Sequence, residues 1–218
     1  MRASPDRPPI RQARYKVKVS AGAPTAIFVM RPTFQTSRLI IRPRRLADTD
    51  DCLAMDRDPE VTRFVSGPWS DAAGHRAFIE ARTRGPYAAG LGYWTASRRD
   101  DTACFIGWVL LIPVDGAGPE IEVGWRLRRA VWRQGFATEA TKPVLQHAFA
   151  TLRLPEVIAE IDLTNAGSLK VAEKLGLRRR GVVSHLGIAA MRYTLKLEEF
   201  DARRHHGLDS APDSQMEM

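Results

Sequence analysis

The sequence predicts an α+β fold of three layers, in which helices lie on both faces of a central mixed sheet. Between residues 33 and 200, segments with the alternating pattern of strands take turns with segments of helical spacing. The length of 218 residues is sufficient for one domain with a buried core. Hydrophobic residues make up 44% and charged residues 27% of the chain, which are ordinary proportions for a globular protein.

The first half of the domain is predicted to contain strands and short helices. In chain order we expect a strand over 38–43, helices over 46–55, over 59–65 and from Ser70, and strands over 93–97 and 103–112. Three aspartates lie near the start of the first helix, where the helix dipole favours negative charge (Asp48, Asp50 and Asp51). The polar residues 98–101 predict a hairpin between the last two strands.

The second half alternates strand and helix more regularly. We expect a fourth strand over 120–127, a long helix over 135–152, a fifth strand over 157–163, a helix over 166–175, and strands over 180–183 and 189–197. Pro143 lies inside the long helix, where it removes a hydrogen bond and clashes with the preceding turn, so we expect a kink or a wide first turn. Gly176 is placed to end the helix before it.

The two ends of the chain differ from the domain in composition. We predict a disordered basic leader over residues 1–32, or an incorrectly assigned start site, and a disordered tail over 201–218. Much of the formal net charge of +8 comes from the leader. The arginines beside residue 135 have a sufficient explanation in an anionic ligand, so nucleic acid is not an expected partner.

Composition also argues against a membrane, a disulfide framework and a metal site. No apolar run approaches the roughly 18 residues that a membrane span needs. Cys52 and Cys104 could pair, but two cysteines do not form a framework, and a reducing cytoplasm is the default location. His75, His147 and His185 lack metal-ligand spacing, and we expect His147 to be exposed or half-buried.

The segment from Pro119 to Ala140 is the most informative part of the sequence. It predicts a strand, a tight turn at Gly135, and a helix that opens with small or polar residues. Such a turn directs free N–H groups and the positive end of the helix dipole at one point, which favours a phosphate. The spacing fits neither the P-loop nor the dinucleotide-binding fingerprint.

Three motifs in this order resemble the GNAT superfamily of N-acetyltransferases. Residues 132–137, WRQGFA, resemble the acetyl-CoA signature Q/R-x-x-G-x-G/A, with Trp132 at its first position. The surrounding residues resemble the Rim-type branch, which acetylates the N-termini of ribosomal proteins. The other two motifs are N-A-G-S at 165–168 with E-K-L-G-L at 173–177, and T-S-R-L-I-I-R-P at 36–43. The resemblance spans about residues 34–200.

The resemblance implies acetyl-CoA as the acetyl donor, bound where the sheet splays between the fourth and fifth strands of a mostly antiparallel sheet. By position, the pantetheine arm would be faced by Trp125, Arg126 and Leu127, and the pyrophosphate would be held by Arg133, Gln134, Gly135, Phe136, Ala137 and Thr138. Asn165 would bond the arm or the loop beside it. The plain alternatives are a turn glycine at position 135 and a helix N-cap at position 165.

Direct attack of an amine on the thioester needs a base, an oxyanion-stabilising donor such as the backbone N–H near Trp125, and an acid. Glu122 is the candidate base, acting through water, and the alternative is an exposed or ion-paired carboxylate. The tyrosine that serves as acid in many family members is replaced by Ala172, so Ser168 is the candidate acid. Its hydroxyl could instead bond the backbone, and Tyr193 is a more distant alternative.

The sequence therefore predicts an acetyl-CoA-dependent N-acetyltransferase that acts on a primary amine as a monomer or homodimer. The Rim-type resemblance favours a protein N-terminus as the acceptor, and a small-molecule amine, including an antibiotic, is the alternative. A non-catalytic acyl-CoA sensor or an RNA-associated module is the alternative from a different class, because the usual acid is missing and the leader is basic.

Overall fold

The computed structural model describes residues 31–116, 118–185 and 188–205. Most of the predicted leader, the end of the predicted tail and the side chain of His185 therefore lie outside the described residues.

In the described part of the chain, eight strands form one mixed sheet. The strands are β1 Phe34–Gln35, β2 Leu39–Pro43, β3 Gly92–Arg98, β4 Phe105–Pro113, β5 Ile121–Leu127, β6 Glu156–Asp162, β7 Arg178–His185 and β8 Ile188–Lys196. Their order across the sheet is β1-β2-β3-β4-β5-β6-β8-β7. Neighbouring strands are antiparallel except β5 and β6, which are parallel. The predicted mixed, mostly antiparallel sheet is confirmed.

The helices are α1 Thr49–Asp56, α2 Pro59–Thr62, α3 Ala72–Arg84, α4 Phe136–Gln146, α5 Ala166–Lys174 and α6 Leu197–His205. A short 3₁₀ segment, Leu46–Asp48, leads into α1. The helix expected from Ser70 begins two residues later, because Asp71 Oδ1 accepts from the N–H groups of Ala73 and Gly74 (3.1 and 3.0 Å) and caps it.

Helices cover both faces of the sheet, as the sequence predicts, and each face has its own apolar core. The larger core lies under α4 and α5 and contains Leu39, Val109, Val123, Val144 and Phe149. The smaller core lies under α1, α2 and α3 and contains Cys52, Met55, Ile79, Tyr93 and Trp108. Alternate residues of β3 and β4 enter the two cores, which is the period-2 rule applied to strands covered on both sides.

The long helix is irregular close to Pro143, the residue from which the sequence predicts a kink or a wide first turn. The α-helical hydrogen bonding continues past Pro143 to Gln146, and a π-helical turn, His147–Thr151, follows. In that turn Leu152 N donates to His147 O, five residues back, at 3.0 Å. The irregularity therefore begins one turn after the proline rather than at it.

The folded chain extends beyond residue 200, where the sequence analysis places the start of the tail. Residues 201–205 complete α6. Within this helix Phe200 stacks on Phe149 with 4.9 Å between ring centroids, and Arg203 Nη1 donates to Leu175 O at 3.2 Å. These contacts attach α6 to the π-helical turn after α4 and to the C-terminal end of α5, and they extend the folded chain five residues past the predicted boundary.

Candidate active site

The predicted phosphate-binding turn lies at the start of α4. Gly135 has φ 82°, in the left-handed region, and immediately precedes the first helical residue, Phe136. The N–H of Glu139 is the first to donate within the helix, to Gly135 O at 3.1 Å, so those of Phe136, Ala137 and Thr138 have no intrahelical acceptor. The turn thus presents adjacent backbone donors together with the positive end of the helix dipole.

Arg133 shows that this turn is strained. Its φ of 62° is left-handed, a conformation that costs a non-glycine residue about 1–2 kcal/mol. The side chains of Arg133 and Gln134 are exposed, so packing against the core does not explain the conformation. Local strain of this kind is concentrated at functional sites.

Trp132 and Gln134 hold the turn against the end of β5. Trp132 Nε1 donates to Leu127 O at 2.8 Å, and Gln134 Nε2 donates to Ala130 O at 3.1 Å. Trp132 occupies the first position of the acetyl-CoA signature, where the family pattern has Gln or Arg. Its indole N–H is a side-chain hydrogen-bond donor, as Gln and Arg are.

The first strand motif and the turn are joined by a carboxylate, a link that the sequence analysis does not predict. Glu139 accepts from Thr36 Oγ1 (2.5 Å), from Arg38 N (3.1 Å) and from Arg38 Nε (2.7 Å). Arg38 also donates to Gln134 O (3.1 Å) and lies 4.1 Å from the ring centroid of Phe136. Burial would raise the pKa of Glu139, but the hydrogen bonds from Thr36 and Arg38 outweigh it and lower the pKa.

The side chains of β5 are divided between the two faces of the sheet. Val123 and Leu127 enter the larger core under α4, and Trp125 packs against it. Glu122 and Arg126 therefore project to the opposite face, where α1 and α3 lie. Gly124 lies between them, and a Cβ at this glycine would come within 3.2 Å of Leu110 Cγ. The predicted placement of Glu122 on the face of Gly124 agrees with this arrangement.

The backbone of β5 is arranged to receive an extended ligand. Arg128 N donates to Ile106 O at 2.9 Å across the β4–β5 ladder. Because hydrogen-bonded pairs alternate along antiparallel strands, the backbone groups of Arg126 also point at β4, whereas those of Trp125 and Leu127 point at β6.

Strands β5 and β6 separate beyond their point of contact. Among the described residues their ladder consists of the pair Glu122–Ile158, so Trp125 has no strand partner on its β6 side. Leu127 O on that side is used by the Trp132 indole. The splay that the resemblance implies is present, and the Trp125 backbone lies within it.

Arg126 does not fit its predicted place at the pantetheine arm. Its backbone pairs with Trp108 on β4, and its Nη1 donates to Asp56 Oδ1 at 3.0 Å. His75 Nε2 lies 3.1 Å from the other Asp56 oxygen, Oδ2. The three side chains form a largely buried polar cluster between β5, α1 and α3 that sequence reasoning does not identify. The physical reason is that residues 56, 75 and 126 are far apart in the chain.

Asn165 and Ser168 begin α5, beside the end of β6. Asn165 Oδ1 accepts from Ser168 N at 3.1 Å, so the plain N-cap interpretation of Asn165 is confirmed. Ser168 is half-buried in the first turn. Ala172, at the position of the missing tyrosine, is fully buried in the larger core.

Two other groups considered from the sequence are engaged elsewhere. Tyr193 is fully buried, its hydroxyl donates to Glu173 Oε1 (3.2 Å), and Arg179 Nε donates to it (2.9 Å). His147 is buried, whereas the sequence predicts an exposed or half-buried residue, and its Nε2 lies 3.0 Å from Gly90 O. Burial lowers the pKa of His147 despite this hydrogen bond.

The described residues contain no group of three or more His, Cys, Asp or Glu side chains arranged to hold a metal ion. None of the helices in these residues combines the length and apolar character required to cross a bilayer.

Comparison with known proteins identifies relatives of the whole domain. Residues 38–178 match a family model described as an acetyltransferase (GNAT) domain. An uncharacterised N-acetyltransferase, p20 of Bacillus licheniformis, is 26% identical over 152 residues, which cover 69% of this chain and 85% of the relative. The FsC-acetyl coenzyme A-N(2)-transacetylase of Aspergillus fumigatus is 30% identical over 158 residues, which cover 67% of this chain and 65% of the relative.

Solved structures share the fold. An acetyltransferase from Agrobacterium tumefaciens superposes with a TM-score of 0.65 and is 25% identical, covering 80% of this chain and 99% of its own. A GNAT-family acetyltransferase from Bacillus anthracis superposes with a TM-score of 0.64 at 20% identity, covering 77% of this chain and 100% of its own.

Proposed function

The chain belongs to the family of GNAT acetyltransferase domains, and from this premise we propose that it transfers the acetyl group of acetyl-CoA to a protein or peptide N-terminal amine. The observation that carries the proposal is the junction of β5 and α4. There, the strained turn around Gly135 presents free backbone donors, and Trp125 offers strand-type backbone groups in the adjacent splay. An anionic group joined to an extended arm fits this pair of features.

The donor-binding residues follow from the same geometry. The N–H groups of residues 136–138 hold the pyrophosphate, and the exposed Arg133 adds positive charge beside it. Trp125 binds the arm through its backbone, as a strand binds its neighbour. Asn165 acts indirectly in this proposal, because its side chain is occupied in capping α5.

Acetyl-CoA, when bound, supplies a thioester that is open to attack by an amine. Glu122 accepts a proton from the acceptor ammonium, through water, and so generates the nucleophilic amine. The backbone N–H of Trp125 lies on the splay side of β5 and donates to the thioester carbonyl oxygen. Ser168, half-buried in the first turn of α5, supplies a proton to the leaving sulfur.

Two acceptor classes have support. The Rim-type motif around Gly135 favours a protein N-terminus. A small-molecule amine is favoured by the relative from Aspergillus fumigatus, because its name specifies transfer from acetyl coenzyme A to an N(2) position.

A panel assay tests the proposal. Release of CoA from acetyl-CoA is measured with N-terminal peptides, polyamines, free amino acids and aminoglycosides as acceptors. We expect turnover with N-terminal peptides and acetylation of their α-amine by mass spectrometry. Turnover confined to small amines would select the second class. Absence of turnover with every acceptor would overturn the transferase proposal, and thermal stabilisation by acetyl-CoA would then favour an acyl-CoA sensor.

A further inference from the structure

Glu122, the proposed base, projects from β5 to the face of the sheet under α1 and α3, which we call the acceptor face. Arg44 follows β2 and lies on this face, against Tyr93. Arg44 is only 5% exposed, yet its Nε and Nη2 have no hydrogen-bond partner among the described residues. Its guanidinium lies 3.8 Å from the centroid of the Tyr93 ring. Buried polar groups are almost always paired, so two unpaired nitrogens on one charged group require an explanation.

A second arginine lies against the same tyrosine. Arg82, on α3, donates from Nη1 to Tyr93 Oη at 2.9 Å, and Tyr87 Oη donates to Arg82 O at 3.1 Å. We call Arg44 and Arg82 the arginine pair. Burial would lower the pKa of Arg82, but Tyr93, Tyr87 and the carboxylate of Glu122 outweigh burial and raise this pKa. Arg82 is therefore electrostatically coupled to the proposed base.

The groups packed nearest to Arg44 do not neutralise it. Burial raises the pKa of Cys52 to about 11, so its thiol is uncharged at neutral pH. Burial and the neighbouring Tyr93 raise the pKa of Tyr87, so this phenol is uncharged as well. Arginine itself remains protonated in proteins. The site thus carries net positive charge in a buried setting, where an anion binds most strongly.

The arginine pair lies on the acceptor side of the sheet. Tyr93 is opposite Leu110 on β4, and Leu110 is opposite Gly124 on β5. This row of residues crosses the sheet from the arginine pair to Gly124, which lies two residues from Glu122 on the same face. Two strand spacings separate β3 from β5, a distance of about 10 Å. A single small acceptor molecule or peptide end can span that distance.

Arg126 provides a contrast on the same face. Its side chain is 13% exposed, and it donates to Asp56 and lies against the rings of Trp69 and Trp108. A structural arginine is expected to be paired in this way, because an unpaired buried charge reduces stability. Arg44 is more deeply buried and also lies over an aromatic ring, but no described residue accepts a hydrogen bond from its Nε or Nη2.

We propose that Arg44 and Arg82 bind a carboxylate of the acceptor, so that the substrate is an amine that also carries a carboxylate. A planar guanidinium donates two parallel hydrogen bonds to a carboxylate, and Arg44 has the unused donors for this. The carboxylate belongs either to a free amino acid or to an acidic side chain near a peptide N-terminus. This inference rests on the proposed transferase function.

Matched acceptors test the inference. The value of kcat/KM is measured for amino acids against their amides, for 4-aminobutyrate against its amide, and for N-terminal peptides with Asp against Asn at the second position. We expect one carboxylate acceptor to exceed its amide by about tenfold or more, as loss of a charge-assisted hydrogen bond implies. The pair that shows the preference identifies the source of the carboxylate.

Variants connect the preference to the residues. Arg44→Met and Arg82→Met should lose it, whereas Arg45→Met, an exposed neighbour, should keep it. Arg44→Met should also unfold at the same or a higher temperature than wild type, because it removes an unpaired buried charge. Equal turnover within every acceptor pair, or a preference that survives in Arg44→Met, would overturn the inference.

A binding experiment separates this inference from the transferase proposal. Sodium glutarate should raise the melting temperature of wild type above that in sodium chloride of equal ionic strength, and should not do so for Arg44→Met. If no acceptor is turned over but glutarate stabilises wild type selectively, the transferase proposal fails and the anion site stands. If glutarate stabilises both proteins equally, or neither, the arginine pair is not a carboxylate site.

Discussion

At the scale of single residues, the conformation of Gly135 has the clearest consequence for function. Its φ of 82° turns the chain so that three successive N–H groups of α4 face one point. The space beside this glycine is open, since a Cβ would meet only Arg38 Nη2 within contact range, at 3.5 Å. A side chain here would therefore extend toward the position of the ligand rather than into the core.

We expect Gly135→Glu to abolish acetyl-CoA binding, because the carboxylate would occupy and repel the pyrophosphate position. Gly116→Glu is the control, since Gly116 also has a left-handed φ, 77°, and open space around it. Both variants should lose about 1–2 kcal/mol of stability from backbone strain. Calorimetric titration with acetyl-CoA should detect no binding to the first and normal binding to the second. Retained binding by Gly135→Glu would refute the assignment of the turn.

Glu122 is the second residue whose role can be isolated. Glu122→Gln keeps the size of the side chain but cannot accept the proton, so kcat should fall by about 10²–10⁴-fold. The Kd for acetyl-CoA should stay unchanged, because the proposed base does not bind the donor. The control is Glu198→Gln, an exposed carboxylate on α6. Wild-type turnover in Glu122→Gln would remove this residue as the base.

At the scale of elements, the strand motif at 36–43 acquires a physical role. Thr36 and Arg38 bind the carboxylate of Glu139, and so attach the β1–β2 turn to the first turn of α4. The side chain of Glu139 is 16% exposed, so these hydrogen bonds are partly shielded from water. The two motifs therefore form one unit that fixes the direction in which the phosphate-binding donors point.

Glu139→Gln should destabilise the protein by about 1–3 kcal/mol at neutral pH. The folded-state pKa of Glu139 is lowered from its ordinary value of 4.5, so its contribution to stability is present above that value and is lost as pH falls below it. The difference in melting temperature between variant and wild type should therefore shrink in acid. Glu139→Gln should also have a higher KM for acetyl-CoA than wild type.

The control for this variant is Glu80→Gln, which breaks an ion pair with Arg84 on the surface of α3. Such a pair contributes less than about 1 kcal/mol. A pH-independent difference between Glu139→Gln and wild type would show that the carboxylate charge is not what stabilises the junction.

At the scale of the whole molecule, the proposed function assigns a different substrate to each face of the sheet. The proposed donor site lies where α4 and α5 meet the β5–β6 splay, and the proposed acceptor side lies under α1 and α3. Strand β5 contributes to both sites. The backbone of Trp125 lies in the splay, and the side chain of Glu122 projects to the face under α1 and α3. The reaction is proposed to occur at the one strand that contacts both substrates.

Truncation tests which part of the N-terminal segment belongs to this unit. Trp94 Nε1 donates to Pro32 O at 2.9 Å, and Trp94 is fully buried. A chain that starts at Arg31 should retain acetyl transfer and melt like the full chain. A chain that starts at Thr33 should be less stable by about 1–3 kcal/mol, because the indole loses its acceptor. Loss of transfer in the chain that starts at Arg31 would assign a function to the leader.

Individual elements show why part of the site was predictable. The turn at Gly135 and the cap at Asn165 are local, since a few consecutive residues determine where the N–H groups of a helix start point. The alternation along 120–127 likewise places Glu122 and Trp125 on opposite faces. The boundary of α6 was missed because its anchors, Phe149 and Leu175, are distant in sequence.

The sequence by itself determined the fold class, the acetyltransferase family and the turn that we propose binds phosphate, because each depends on short-range pattern and conformation. Only the tertiary structure decided that Arg126 binds Asp56, that Glu139 joins two motifs, and that Nε and Nη2 of Arg44 are buried with no hydrogen-bond acceptor among the described residues. These three facts depend on which side chains the sheet brings together. Burial and pairing are properties of the packed chain, and they fix the energy of a charge only when its neighbours are known.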